Sequence, residues 1–238
     1  MNKLTLELIK QLPKVELHCH LDGSLRVDTI IDLAKKNNID LPTIHKNKLS
    51  KLISLKSQNI SLEKYIALFD ITLSVMQNKN SLERISYELM EDLSNDNVVY
   101  AEIRFSPILH TKNNLTIDDA LRSVKTGLEK GSKKFGIKYG IIICGIRSID
   151  PSVSIKLAEL AVDYKNNGVV GFDLAGAEYN YPAKKHKEAF YIIRNNNINT
   201  TIHAGEAFGP ESIHQAIHTC GANRIGHGIR LLEDPDLM

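Results

Sequence analysis

The chain has 238 residues, of which 42% are hydrophobic and 24% charged, so it can bury the core of one large globular domain. Its 30 basic and 28 acidic residues nearly balance, which excludes the strongly positive surface typical of proteins that bind nucleic acid or anionic membranes. Lys3, Glu7 and Lys10 interrupt the start, and no apolar stretch approaches about 18 residues. We therefore expect a cytoplasmic protein with neither a signal peptide nor a membrane span.

Short β-branched and aliphatic runs alternate with helical patterns, which is typical of βα units around a parallel sheet. The stretch from Asp22 to Asn97 exceeds a simple crossover and predicts two or three extra helices, with a loop at 50–59. No repeat or second domain is visible, so residues 1–238 are expected to form a single domain. The six predicted strands are Lys14–His20, Val98–Phe105, Ile137–Cys144, Val169–Leu174, Asn199–His203 and Arg224–His227.

The first predicted strand carries a His-x-His pair. Strict alternation places Glu16, His18 and His20 on one face of this strand, so the two imidazoles point the same way and can hold one metal ion. Alone, this pair is a weak signal, because neighbouring histidines often have no ligand role.

Other polar residues also follow strand ends, which gather at one rim in a parallel barrel. His203 ends the fifth strand, Glu206 follows after a glycine-containing turn, and His227 ends the sixth strand. Three histidines with an open position are typical of catalytic zinc, which needs a free site for water.

Structural alternatives exist for several of these residues. Glu206 could instead be an acidic residue at the N-terminus of the helix that follows it. Asp22 could instead cap the helix after the first strand. His227 between Gly226 and Gly228 is either a packing accident or a residue whose glycine neighbours let the backbone approach a ligand.

The remaining histidines are predicted to be surface residues. His214 and His218 lie four residues apart on a helix, but Gln215 stands where zinc-protease helices carry the catalytic glutamate. The same surface interpretation covers His45, His110 and His186, which lack companions in the sequence. The three cysteines, Cys19, Cys144 and Cys220, form no paired cluster and are expected to be reduced, buried apolar side chains.

The last residues predict the start of a helix. Asp234 followed by Pro235 is a good capping signal, yet the chain ends three residues after Pro235. The sixth strand would then lack its covering helix, so we expect the chain to be part of a longer fold. A frayed tail is the alternative.

As a set, five motifs closely resemble the adenosine deaminase family, in the family's order and across the whole chain. They are 12–24 with its Val15-Glu16-Leu17-His18-Cys19-His20 core, Ile103-Arg104-Phe105-Ser106-Pro107, Phe172-Asp173-Leu174-Ala175-Gly176, His203-Ala204-Gly205-Glu206 and Arg224-Ile225-Gly226-His227-Gly228. The resemblance implies an α/β fold of the TIM (β/α)8 type, with about six of its βα units in this chain. It also implies zinc-dependent hydrolysis of adenosine and 2'-deoxyadenosine, small-molecule purine nucleosides, to inosine or its 2'-deoxy form and ammonia.

The resemblance further implies a role for each matching residue. Zinc would be bound by His18, His20 and His203, with His20 also bordering the substrate. Glu206 would protonate purine N1, and His227 would orient or deprotonate the attacking water. Asp22 would contact the ribose 5' hydroxyl, and the backbone N–H of Gly176 would face the purine. An apolar lid over the base, equally well explained as a core helix, would comprise Tyr65, Ile66 and Phe69.

One departure from the family pattern concerns the last metal ligand. The family carries an Asp-Asp pair after its eighth strand, and here Asp118-Asp119 lies instead at a predicted helix start. One zinc carboxylate and a second, substrate-facing aspartate are thus missing from the chain. Two other functions stay open: a deaminase of adenine, AMP or a modified nucleoside, and an inactive fragment.

Overall fold

A parallel sheet forms the centre of the computed structural model, which describes residues 5–54 and 60–238. Its strands pair in chain order, each parallel to the next, and helices connect them. This is the arrangement of a partial TIM barrel, as predicted. The strands are β1 (Lys14–His20), β2 (Val98–Phe105), β3 (Lys138–Ile146), β4 (Val169–Ala175), β5 (Asn199–Ala204) and β6 (Arg224–His227).

Apart from Leu6–Gln11, which precedes β1, the α-helices among the described residues occupy the connections between strands. Four of them lie between β1 and β2, which confirms three helices beyond the usual single crossover. The predicted loop at 50–59 is wrong for 50–53, which are helical, and 55–59 lie outside the described residues. The α-helices are α1 (Leu6–Gln11), α2 (Val27–Lys36), α3 (Lys46–Ile53), α4 (Leu62–Ser74), α5 (Lys79–Asn95), α6 (Ile117–Phe135), α7 (Pro151–Asp163), α8 (Lys187–Asn195) and α9 (Pro210–His214), which continues as a π turn over Gln215–Thr219.

Local signals in the sequence set several helix ends. Thr116 and Asp119 form a reciprocal capping box at the start of α6, and Gly136 ends that helix in the left-handed conformation at φ 76°. Asp150 caps α7 immediately before Pro151 at its first position. The end of α6 at Gly136 comes two residues before β3 begins at Lys138, so this local signal helps to place that strand.

The main core lies between the sheet and the surrounding helices. Helices α5 and α6 approach so closely that a Cβ on Gly127 would lie 2.2 Å from the Glu83 carbonyl oxygen. On the other side of the fold, the rings of Phe172 and Phe190 meet edge to face. This apolar layer holds the strands in register around a polar interior.

The inner face of the sheet is polar near the carboxyl ends of the strands. Alternation along β1 leaves Val15 and Leu17 exposed and turns His18 and His20 towards the interior. The cysteine prediction is confirmed for burial of Cys144 and Cys220 but is wrong for Cys19, which is half-buried beside the Ser24 hydroxyl. Within the described ranges, no helix is both long and apolar enough to span a bilayer.

Candidate functional site

Three histidine side chains converge at the carboxyl ends of β1 and β5. The Nε2 atom of His203 lies 2.9 Å from Nε2 of His18 and 3.0 Å from Nε2 of His20. All three nitrogens lie within 4.8 Å of one another. A metal bonded tetrahedrally to three imidazoles holds their nitrogens roughly 3.3 Å apart, so this spacing fits a single ion.

The environment keeps two of these imidazoles neutral. Burial lowers the pKa of both His18 and His20 to about 3, aided next by the charge of Arg104 at His18 and by His203 at His20. Neutral imidazoles present lone pairs, which are what a metal ion requires of its ligands. The three-histidine donor set therefore fits a zinc ion chemically as well as geometrically.

Behind His203 lies a buried ion pair that the sequence motifs did not reveal. Asp173 Oδ1 is 3.1 Å from His203 Nδ1, and Asp173 Oδ2 accepts a hydrogen bond from Arg104 Nη1 at 2.9 Å. Arg104 also donates to the Leu17 carbonyl oxygen at 2.7 Å, next to His18. Burial opposes the charged carboxylate, but His203 and Arg104 outweigh it and hold the pKa of Asp173 well below its usual range.

This ion pair orients His203. A hydrogen on Nδ1 donated to Asp173 leaves Nε2 with a free lone pair facing His18 and His20. The sequence does contain a signal, since Asp173 is the single charge of its otherwise apolar strand and Arg104 shares its strand with one other charge, Glu102. A buried charge requires a partner, but the sequence does not identify which residue that partner is.

Glu206 and His227 face the same histidine cluster. His227 Nε2 lies 3.4 Å from Glu206 Oε2, and the His227 ring centroid is 5.0 Å from that of His18. Burial lowers the pKa of His227 despite the opposing charge of Glu206. Both side chains are about one third exposed, so they are accessible to a molecule in the cavity.

The backbone around His227 is unusual. His227 adopts φ 70°, a conformation that non-glycine residues seldom take. A Cβ on Gly226 would lie 2.9 Å from His18 Cε1, so only glycine permits this approach of β6 to the cluster. These contacts favour the functional interpretation of the flanking glycines.

Asp22 and Gly176 lie on the wall of the same cavity. Asp22 is buried, its Oδ1 has no hydrogen-bond partner among the described residues, and burial raises its pKa to about 6. Its side chain caps no helix, because α2 begins at Val27 without a side-chain cap. Gly176 adopts φ 97° directly after β4, where a Cβ would lie 3.3 Å from Ile146 Cγ2.

A single cavity of about 390 Å³ joins these groups. That size is within the range of small-molecule sites. Tyr65, Ile66 and Phe69 of α4 form part of its apolar wall. The predicted metal, substrate and proton-transfer residues also line it: His18, His20, Asp22, Gly176, His203, Glu206 and His227.

The model of the adenosine deaminase family matches residues 13–238. The chain belongs to the adenosine deaminase family. A probable adenosine deaminase of Dictyostelium discoideum is 46% identical over 237 residues, covering 99% of this chain and 31% of that protein. The adenosine deaminase of Mycobacterium ulcerans is 44% identical over 236 residues, covering 97% of this chain and 65% of that protein.

A solved structure shares the fold. An amidohydrolase from Burkholderia ambifaria with bound zinc aligns with a TM-score of 0.86 at 24% identity, covering 99% of this chain and 65% of that one. The chain thus spans less than two thirds of the length of these adenosine deaminase relatives. Among the described residues, the group that could hold a metal consists of His18, His20 and His203.

The surface prediction for the other histidines is only partly confirmed in this member of the adenosine deaminase family. His45, His214 and His218 are exposed. His110 is buried instead, with Nδ1 3.1 Å from the Met76 carbonyl oxygen. His186 is also buried, 2.8 Å from the Ser154 hydroxyl. The prediction was wrong for these two because a lone imidazole can be buried once a main-chain or hydroxyl partner satisfies one ring nitrogen, and such partners are distant in sequence.

Proposed function

We propose that this chain forms the zinc-binding and purine-binding part of a single hydrolase barrel domain that deaminates adenosine and 2'-deoxyadenosine. The products would be inosine or 2'-deoxyinosine and ammonia. The observation that carries this proposal is the convergence of three imidazoles, Glu206 and His227 in one cavity. Relatives at 44–46% identity named adenosine deaminase support the same reaction.

Zinc is the metal that this donor set supports best. Imidazole nitrogens suit zinc, and three of them leave a position open, as catalytic sites require. A zinc ion held by His18, His20 and His203 would supply a Lewis acid that makes water nucleophilic near neutral pH. The zinc-bound amidohydrolase that shares the fold supports this choice.

Glu206 and His227 are assigned to proton transfer. Exchange of the purine C6 amino group for oxygen requires a proton at ring N1 and a base for the attacking water. We assign the first role to Glu206 and the second to His227, which lie 3.4 Å apart, a separation that suits action on the adjacent N1 and C6 atoms of one purine ring. The lowered pKa of His227 keeps its imidazole neutral and able to accept a proton.

The sugar end of the cavity favours a nucleoside over a nucleotide. Asp22 offers a buried carboxylate oxygen without a partner among the described residues, which suits a ribose hydroxyl donor. A 5' phosphate placed there would meet a like charge in a poorly solvated site. The backbone N–H of Gly176, after β4, is assigned to the purine.

The test compares substrates and one variant of the full-length protein loaded with zinc. Adenosine and 2'-deoxyadenosine should show a much higher kcat/KM than AMP or adenine. Glu206→Gln should keep stoichiometric zinc while kcat falls about 10²- to 10⁴-fold. Zinc binding without turnover of either nucleoside in the parent protein would support the inactive alternative. Equal kcat/KM for AMP would remove Asp22 from the ribose site.

A further inference from the structure

A single carboxylate, Glu178, binds four consecutive backbone N–H groups. Glu178 Oε1 accepts from Gly205 N at 2.6 Å. Glu178 Oε2 accepts from Glu206 N at 3.0 Å, Ala207 N at 2.6 Å and Phe208 N at 2.8 Å. The side chain is 4% exposed, so these bonds are shielded from water. Glu178 lies outside the five family motifs.

The four amides form a concave donor site at the end of β5. Gly205 adopts φ 69°, which turns the chain so that successive N–H groups point to one place. Such an arrangement attracts an anion, and here the protein supplies its own. Burial alone would raise the pKa of Glu178, but the neighbouring Ser212 hydroxyl and the backbone N–H groups favour its charged form and hold the pKa below its usual range.

The bond network connects two loops of the candidate site. Glu178 lies two residues beyond Gly176 in the loop after β4, and Glu206 lies two residues beyond the end of β5. One carboxylate thus sets the distance between the loop assigned to the purine and the residue assigned to its N1. The amide of Glu206 is itself one of the four donors.

Glu206 has little else to fix its position. Among the described residues, the ion-pair partner of its carboxylate is the titratable side chain of His227, at the long distance of 3.4 Å. Its orientation therefore depends on the backbone of 205–208. A displacement of about 1 Å at a reacting group can cost around 10²-fold in rate.

We propose that Glu178 is a positioning residue that holds the 205–208 backbone so that Glu206 is aligned for proton transfer. This inference rests on the proposed function, because it assumes that Glu206 is the proton donor. Glu178 itself does not line the cavity that contains the histidine cluster.

Two substitutions test the proposal in the full-length, zinc-loaded protein. In Glu178→Gln, the side-chain oxygen can still accept from three of the backbone N–H groups, but the side-chain NH₂ then faces the fourth. The decrease in kcat should therefore be smaller than in Glu178→Ala. In Glu178→Ala all four donors lose their acceptor, and kcat should fall by about 10²-fold. KM for adenosine and zinc content should change little in Glu178→Gln. Glu211→Gln, an exposed glutamate in the next helix, should match the parent protein.

Rescue by formate separates positioning from a general loss of structure. Formate carries the same carboxylate group and fits the space left in Glu178→Ala, so it should restore kcat with saturation. Formate should not restore kcat in Glu206→Gln, because that variant keeps the Glu178 carboxylate and leaves no space for formate there. The proposal would be overturned if kcat is unchanged in both Glu178 variants. It would also be overturned if zinc content falls and KM rises in parallel with the loss of kcat, and formate reverses none of these changes.

Hydrogen exchange of the amides at 205–208 gives a readout independent of activity. These amides should be protected in the parent protein and exchange faster in Glu178→Ala, with formate restoring protection. If the zinc-loaded parent protein fails to deaminate adenosine, the proposed function fails while this measurement still reports on the loop. Equal protection in both proteins would refute the positioning role whatever the activity.

Discussion

Replacing Asp173 by asparagine should weaken metal binding and destabilise the protein by separate routes. The isosteric amide keeps the volume but removes the charge opposite Arg104, whose side chain is 1% exposed. Loss of one partner of a buried pair typically costs about 3–5 kcal/mol, because the remaining charge is uncompensated. If the amide oxygen stays with Arg104, the NH₂ faces His203 Nδ1. The imidazole hydrogen must then move to Nε2, where it blocks the lone pair assigned to the metal.

The expected effect on metal affinity follows from that tautomer change. Outer-sphere partners of metal-bound histidines usually contribute about 10- to 100-fold in affinity, or roughly 1.4–2.8 kcal/mol. Competition with a chelator measures zinc affinity, and urea unfolding of the metal-free protein measures stability. Asp119→Asn, at the exposed start of α6, is the control for charge removal and should leave zinc affinity unchanged. An Asp173→Asn protein that is destabilised yet binds zinc as tightly as the parent protein would refute the orienting role of Asp173.

Two further predictions concern stability. Burial lowers the pKa of His110 to about 4, so the unfolded state, with its ordinary value of 6.5, binds a proton first as the pH falls. Because of His110, the free energy of unfolding should fall by up to about 3 kcal/mol between pH 6.5 and pH 4. In urea titrations, His110→Gln should make this fall smaller, whereas the control His218→Gln, at an exposed histidine, should leave it unchanged. Gly127→Ala should destabilise by roughly 1–3 kcal/mol, since its Cβ would lie 2.2 Å from the Glu83 carbonyl oxygen. Gly209→Ala, where a Cβ meets nothing within 4 Å, should shift the urea midpoint little, and equal effects of the two substitutions would contradict this packing argument.

The sequence alone located the six strands to within two residues and determined the direction of the first two histidines. The period of two along β1 requires His18 and His20 to share a face, whatever the rest of the fold does. Helix caps such as Thr116 with Asp119 are likewise local, because each hydrogen bond spans three residues. The five family motifs placed His203, Glu206 and His227 at strand ends, and each lies in the cavity.

Only the tertiary structure decided which partner each buried charged or polar side chain contacts. Arg104 and Asp173 are 69 residues apart, and Glu178 binds amides 27 to 30 residues further along the chain. The same is true of the buried His110, whose carbonyl partner at Met76 lies 34 residues away. A lone charge or imidazole in the sequence shows that a partner is needed if it is buried. The identity of that partner depends on strand order and loop path, which bring distant residues within 3 Å and exclude the water that would otherwise solvate them.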